Sequence, residues 1–450
     1  MATPDVREIE KARVVDALDP ETNIGAGTPV EPSTSGESAD LTDHLPAWKR
    51  PFIALSEAEF RRLWGGMMPG TMAIQMGMVT TGYVAYDISE SATAVGIVSL
   101  GWGVPMLFFG LWGGVVADRF PKRRTLLLAQ ALIGVSAIVS AILVLTGVIQ
   151  VWHLVFTSAL QGIGFAFNMP SNQAFIAQLV SRKNLMNAIA LQNTGHNFAR
   201  VAGPSIAGAL IGVSFVGAGG VFVLMSVMYA FVLINLLRIS HAGEPTGANR
   251  PPPLAALRDG LRYIRGNTIV FSLLSLAFAP VLLGMPYQTL MPVFAEDVFE
   301  VGPGGLGALM AANGFGALLG SLMIASISGY RRRGMLQVGL GITFGIGIAA
   351  FAFGQSFVFG LFALVMVGFA SAAYQALNSS LVMHYTESAF HGRVMSVYLL
   401  TFSAMPLGTV PFGALSDIYG APITIGIGGL VLAGIIVAVG VLYPPYRRIA

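Results

Sequence analysis

Gln192, His196 and Arg200 recur every fourth residue inside a long apolar run, so a helix there stacks all three on one face. Arg200 is the only cation within such a run. A charge at the centre of a bilayer costs about 2.5–3.5 kcal/mol on insertion scales, so it must face protein or water and find a polar or anionic partner. His196 can change charge near neutral pH. Two chemistries fit equally: Arg200, tuned by His196, orients a ligand group, or Arg200 pins its helix to carbonyls and amides of a neighbour. The other polar side chains of the apolar runs are mostly amides: Gln75, Gln161, Asn168, Asn172, Gln173, Asn193, Asn197, Gln288, Asn313, Gln375 and Asn378, with Tyr374. Any one of them would serve as a hydrogen bond between helices; their clustering points to a polar cavity. Hydrolytic chemistry finds no support. There is no G-x-x-x-x-G-K-[ST] loop to cradle a phosphate, the six histidines lack ligand spacing, and cysteine is absent. No enzymatic activity, metal or cofactor is expected.

The elements that carry these residues are read from hydropathy. Of 450 residues 54% are hydrophobic and 10% charged, with mean hydropathy +0.71; soluble domains carry about 25% charged residues. Apolar runs occupy 63–86, 92–117, 125–147, 151–179, 185–213 and 216–237, then 268–295, 304–328, 335–354, 357–383, 394–416 and 422–442. Each matches the roughly 20 residues that cross the hydrocarbon core, where only helices satisfy the backbone. The expected fold is an all-α integral membrane protein with 12 transmembrane helices in two pseudo-symmetric six-helix bundles, 51–238 and 268–443. A cytoplasmic linker, 239–267, joins them, and cytoplasmic tails, 1–50 and 444–450, flank them. The first tail is rich in Asp, Glu, Pro, Ser, Thr and Gly, a composition that does not build a core. Residues 55–62 read as a short surface helix before the first span.

Charge sets the orientation. Beyond Arg13, every Lys and Arg except Arg200 falls on one face if both termini are cytoplasmic. The outer loops then hold Asp87, Glu90, Glu296, Asp297, Glu300 and Asp417. The pI near 9.2 therefore reflects topology and implies no nucleic-acid partner. In the linker, Leu254, Leu257, Leu261 and Ile264 share one helical face, with Arg258, Arg262 and Arg265 on an adjoining one. Such a helix lies on anionic lipid or docks on a partner. An offset of 206 residues pairs Gly162, Ala166 and Asn172 with Gly368, Ala372 and Asn378. An offset of 211 pairs Gly96, Gly103 and Lys122 with Gly307, Gly314 and Arg333, as two parallel repeats would.

Between the second and third runs lies GGVVADRFPKRR, residues 113–124. It resembles the loop 2–3 signature of the major facilitator superfamily, G-x-x-x-D-R-x-G-R-R/K, at Gly114, Asp118, Arg119, Lys122 and Arg123, with Pro121 in place of the usual glycine. NFARVAGPSIAGALIG, residues 197–212, is similar to the fifth-helix signature of facilitator exporters at Gly203, Pro204 and Gly208, while Ala199 and Ala207 replace two glycines. That stretch and DGLRYIRGN resemble the enterobactin exporter-like, or transmembrane secretion effector, branch. The resemblance implies a secondary transporter of the inner membrane that exports a small amphiphilic molecule, drug or siderophore-like, by alternating access, acting as a monomer. Asp118 and the basic loop would then latch the cytoplasmic ends, and the polar residues above would line the substrate cavity. The methionines Met67, Met68, Met72, Met76 and Met78 would form an adaptable wall, or plain packing. Import of a solute, or a non-transporting scaffold or sensor, are the alternatives. Protons as coupling ion fit the superfamily, yet Ser158 stands where proton-linked members carry arginine, although Gln161, Gly162 and Gly164 match. No Asp or Glu lies deep in a run, so the usual carboxylate for that coupling is missing.

Overall fold

Without water to bond in hydrocarbon, apolar runs satisfy their backbone as helices, and among the described residues there is no strand. The computed structural model describes residues 50–245, 253–327, 332–387 and 390–442. The expected tails at 1–49 and 443–450, and residues 246–252 of the linker, lie outside them. A 3-10 turn, Arg50–Ser56, precedes α1 (Ala58–Ser89), α2 (Ala92–Arg119), α3 (Lys122–Leu145), α4 (Val151–Leu179), α5 (Leu185–Ile211) and α6 (Gly217–Leu237). The linker helix is α7 (Pro253–Gly266). Then come α8 (Thr268–Ala279), α9 (Gly302–Ser326), α10 (Arg333–Phe353), α11 (Phe357–Tyr385), α12 (His391–Ser403), α13 (Met405–Tyr419) and α14 (Ala421–Leu442). Among the described residues, 9 helical segments are long and apolar enough to cross a membrane. Outside that set stand α1, α4 and α5, the helices richest in amides and charge.

Several expected elements are corrected. The surface helix at 55–62 does not form: α1 runs unbroken from Ala58, because Phe60 and Leu63 are already buried on its inner side. The seventh run is broken into pieces. After α8, π turns at Pro280–Gly284 and Phe294–Val298 bracket short helices at Pro286–Thr289 and Met291–Val293. Pro280, Pro286 and Pro292 each lack the N–H that a regular ladder needs. The eleventh run divides at Ala404, with Pro406 in the first turn of α13. The linker helix is docked on one side: Ile264 is buried, and Tyr263 stacks on Phe390 with centroids 4.3 Å apart. Its hydroxyl accepts from the Glu387 N–H at 3.1 Å, while Leu261 remains exposed with Arg258, Arg262 and Arg265. The methionines of α1 serve packing at Met67, Met72 and Met76, which are buried, whereas Met78 is exposed.

Contacts recur under the sequence offsets. A Cβ on Gly162 of α4 would strike the Trp102 carbonyl of α2, and one on Gly368 of α11 would strike the Asn313 carbonyl of α9. Glu90 and Glu300, 210 residues apart, both adopt left-handed backbone, φ 48° and 52°. Helix α5 packs on α9, and α13 on α2. Both pairs are close because glycine is there: Gly208 meets Gly307 backbone to backbone, and Gly413 lies against the Ala92 carbonyl. Gly208→Leu should therefore overpack the α5–α9 contact and lower stability by about 1–3 kcal/mol. Gly304→Ala, with nothing within 4 Å of its Cβ, should change little. Thermal unfolding in detergent compares the two; equal melting temperatures would show that the close approach is dispensable.

The start of α1 is held by Glu57, whose carboxylate accepts from the Ser181 N–H at 3.1 Å, the Ser181 hydroxyl at 2.8 Å and Asn184 Nδ2 at 3.0 Å. Partial burial pushes its pKa up, but the bonds from Asn184 and Ser181 outweigh this and hold it below the ordinary 4.5. A depressed carboxylate stabilises fully above the unfolded value, and the gain is lost as pH falls through the folded value. Glu57→Gln should lower the melting temperature at neutral pH, with the difference vanishing in acid. A loss independent of pH would assign Glu57 a merely steric role.

Candidate functional site

Helix α5 sits against α9, and a cavity of about 280 Å³ lies between them and α11 and α12. Asn197 and Arg200 of α5, Ser321 of α9, Gln375 and Ser379 of α11 and Tyr398 of α12 form its polar lining. Leu318 and Phe402 contribute apolar surface. Arg200 lies in the middle of α5, about 22 Å from the Leu185 end at 1.5 Å per residue. Its side chain is exposed, and among the described residues no hydrogen bond or ion pair holds its guanidinium. His196, one turn away, is also exposed, with Nδ1 3.2 Å from the Gln192 carbonyl; Gln192 is half-buried and Asn193 exposed. Behind the cavity wall the Tyr287 hydroxyl donates to Asn313 Oδ1 at 2.8 Å and accepts from Gln288 Nε2 at 3.1 Å. Tyr287 is near enough to Arg200 to interact with it electrostatically.

The two halves are sealed at the end where α1 stops and α9 starts. The Tyr86 hydroxyl donates to the Asp297 carboxylate. Asp417, at the end of α13, accepts from the Ala92 N–H at 2.6 Å, the Thr93 N–H at 3.0 Å and the Ser91 hydroxyl at 2.7 Å. These are the orphan donors of the α2 N-terminus, where the helix dipole also favours an anion. The seal continues inward to Gly103, packed on Pro406, and Gly314, packed on the Arg200 carbonyl. The cavity begins there and lies towards the end that carries Asp118.

At that end the basic loop bonds to the end of α6 and to the start of the linker. Lys122 is buried, and its Nζ donates to the Glu244 carbonyl at 2.6 Å. Arg123 donates to the Leu236 and Leu237 carbonyls at 2.9 and 2.6 Å, capping α6. Asp118 is half-buried and interacts electrostatically with Lys122, Gly114 is half-buried, and Arg119 is exposed.

Of the residues expected to line a cavity, Arg200 and Gln375 do so, together with Asn197. Others, like Asn313, have polar atoms engaged between helices. Asn168 is buried and accepts from Gln130 Nε2 at 3.0 Å, joining α3 to α4. Tyr374 donates to the Leu276 carbonyl at 2.9 Å and Asn378 to that of Leu273 at 3.1 Å, fastening α11 to α8. Gln75 touches Gly203 where α1 meets α5, and Pro204 is buried at the same contact. Gln161 is half-buried, and Asn172 is buried with no hydrogen-bond partner for Oδ1 among the described residues. Sequence reasoning missed Ser321, Ser379 and Tyr398, which carry no charge, and Asp417, read as an ordinary loop acid.

A sequence profile described as transmembrane secretion effector matches residues 49–447. The staphyloferrin A transporter of Staphylococcus aureus is 25% identical over 363 residues, 79% of this chain and 89% of its own. Macrolide efflux protein A of Streptococcus pyogenes is 21% identical over 394 residues, 87% and 96% of the two chains. The enterobactin exporter of Shigella flexneri is 24% identical over 339 residues, 74% and 76%. Among solved structures, the nucleoside transporter NupG superposes with TM-score 0.68 at 14% identity, covering 84% of this chain and 99% of its own. A bacterial homolog of the human lysosomal transporter Spinster gives 0.65 at 15% identity, covering 86% and 95%. These two likenesses concern the fold. With the profile running from the turn before α1 to beyond α14, the chain belongs to the transmembrane secretion effector family of major facilitator transporters.

Proposed function

We propose that the protein is a secondary active transporter that exports a small amphiphilic molecule by alternating access, with its cavity here open towards the cytoplasm. The observation that carries this is the pairing of a sealed end, Asp417 on the α2 N-terminus, with a mid-chain cavity on the other side of that seal. The element order supports two bundles of six about the α7 linker if α8 with its broken continuation is counted as one crossing and α12 with α13 as another. Export is supported by relatives whose names are efflux protein, efflux pump and exporter. The distribution of Lys and Arg supports an inner-membrane orientation with the Asp118 end in the cytoplasm. Asn193 and His196, both exposed, then continue the polar path along α5 towards its Leu185 end. Rocking one bundle against the other would break the Asp417 seal and close the cytoplasmic side.

Because the chain has no cysteine, single introduced thiols report orientation without background. Glu300→Cys should react with an impermeant maleimide in intact cells and Arg333→Cys only after permeabilisation; the reverse pattern would invert the topology. Alternating access has a separate test. Thr409 is buried at the α2–α13 contact, 0% exposed, so Thr409→Cys should label slowly. Adding Asp417→Asn should speed that labelling about two- to tenfold, in line with the worth of an anion at a partly exposed helix N-terminus. An unchanged rate would mean that Asp417 does not hold the seal.

A further inference from the structure

The lining of the cavity is one-sided in charge. Arg200 brings five N–H donors in a planar fork and has no accepting partner among the described residues. Asn197 and Gln375 face the same space with amide donors that no described hydrogen bond uses. The hydroxyls around them are already committed as donors: Ser321 to the Leu318 carbonyl at 2.9 Å and Ser379 to that of Ala376 at 3.0 Å. Tyr398 reaches the Gln375 carbonyl at 3.4 Å. Among the described residues no Asp or Glu lines the cavity. A fixed cation at this depth, with unspent amide donors beside it and no counter-charge, is stable only with water or with an anion in front of it. The fork of an arginine matches a carboxylate through two parallel hydrogen bonds. Around that head-group position, Ala317, Leu318, Ala372, Ala376 and Phe402 form an apolar surround.

We infer that the cavity is a binding site for amphiphiles bearing a carboxylate, with Arg200 gripping the carboxylate, Asn197 and Gln375 donating to its free lone pairs, and the tail lying along Leu318 and Phe402. This rests on the transport reading only in taking the bound molecule as cargo. The same geometry disfavours a cationic amphiphile, whose charge would meet Arg200 with no carboxylate to screen it.

The test uses the full-length protein in detergent and two matched fluorescent probes: a dansyl-labelled fatty acid, and the same dye on an equally long trimethylammonium tail. Wild type should bind the acid at least about tenfold more tightly, the scale expected of charge-assisted hydrogen bonds. Arg200→Gln should abolish that preference and Arg200→Lys keep part of it, since the charge remains and the fork is lost. Should Arg200→Gln fail to fold, Gln375→Glu supplies the second arm: a carboxylate set beside Arg200 should weaken the acid and improve the cation. The inference is overturned if wild type prefers the cationic probe, binds both alike, binds neither, or keeps its preference in both variants. Proteoliposomes separate this from the transport reading. Protein that binds the acid with the stated preference but never moves it supports the site and sinks transport. Protein that moves either probe equally well with or without Arg200 supports transport and sinks the site.

Discussion

Arg200 has to be kept away from hydrocarbon, and much of the packing around α5 follows from that requirement. The helix cannot lie at the lipid boundary with a cation at its middle, so it is drawn inward between both halves. Small residues make this possible. Gly195 and Gly203 let α1 approach, at Met68 and Gln75, and Gly208 lets α9 approach from the other side. The side chain is then left facing the space that remains between α5, α9, α11 and α12. The cavity is thus the counterpart of a mid-helix cation whose helix has been packed on its other faces.

The two ends of the molecule are closed by different chemistry. At the Glu90–Glu300 end the halves bond to each other, through Tyr86 with Asp297 and through Asp417 with the start of α2. Each of these bonds is modest in water, and none is a fully buried ion pair. At the Asp118 end the described side-chain bonds of Arg123 go to the Leu236 and Leu237 carbonyls of α6, and that of Lys122 goes to the Glu244 carbonyl at the start of the linker. The first joins the two halves, and the second ties the basic loop to α6 and the linker. A rocking mechanism needs both.

The helices were legible because hydropathy over twenty residues is a local property, and span boundaries such as those of α4 agree to the residue. The breaks after Ala279 and at Ala404 were equally local, written in Pro280, Pro286, Pro292 and Pro406, but the apolar runs are continuous across them and hide them. Which polar residue faces the cavity was not legible. Asn378 and Gln375 are three residues apart on α11 and chemically alike, yet one meets the Leu273 carbonyl and the other the cavity. The difference lies in α8, more than a hundred residues away in the chain, and residue type carries no trace of it. Asp417 was misread for the same reason. An acid at a helix end looks like a loop residue until the N-terminus of another helix is found beneath it.

Arg200 also stands where the seal gives way to the cavity. Its carbonyl packs on Gly314 of the other half, as the last of the close backbone contacts, while its side chain faces the cavity. A ligand can bias two conformations only by contacting them differently. If the halves rock apart at the Asp417 end, the Arg200–Gly314 contact is the point about which α5 and α9 turn, and the side chain must swing relative to Gln375 on α11. An anion bridging Arg200 and Gln375 would then sense the angle between the halves, although an apolar molecule of the same volume would not. Binding and gating would then share one residue, which removes the need for a separate wire between the cavity and the seal.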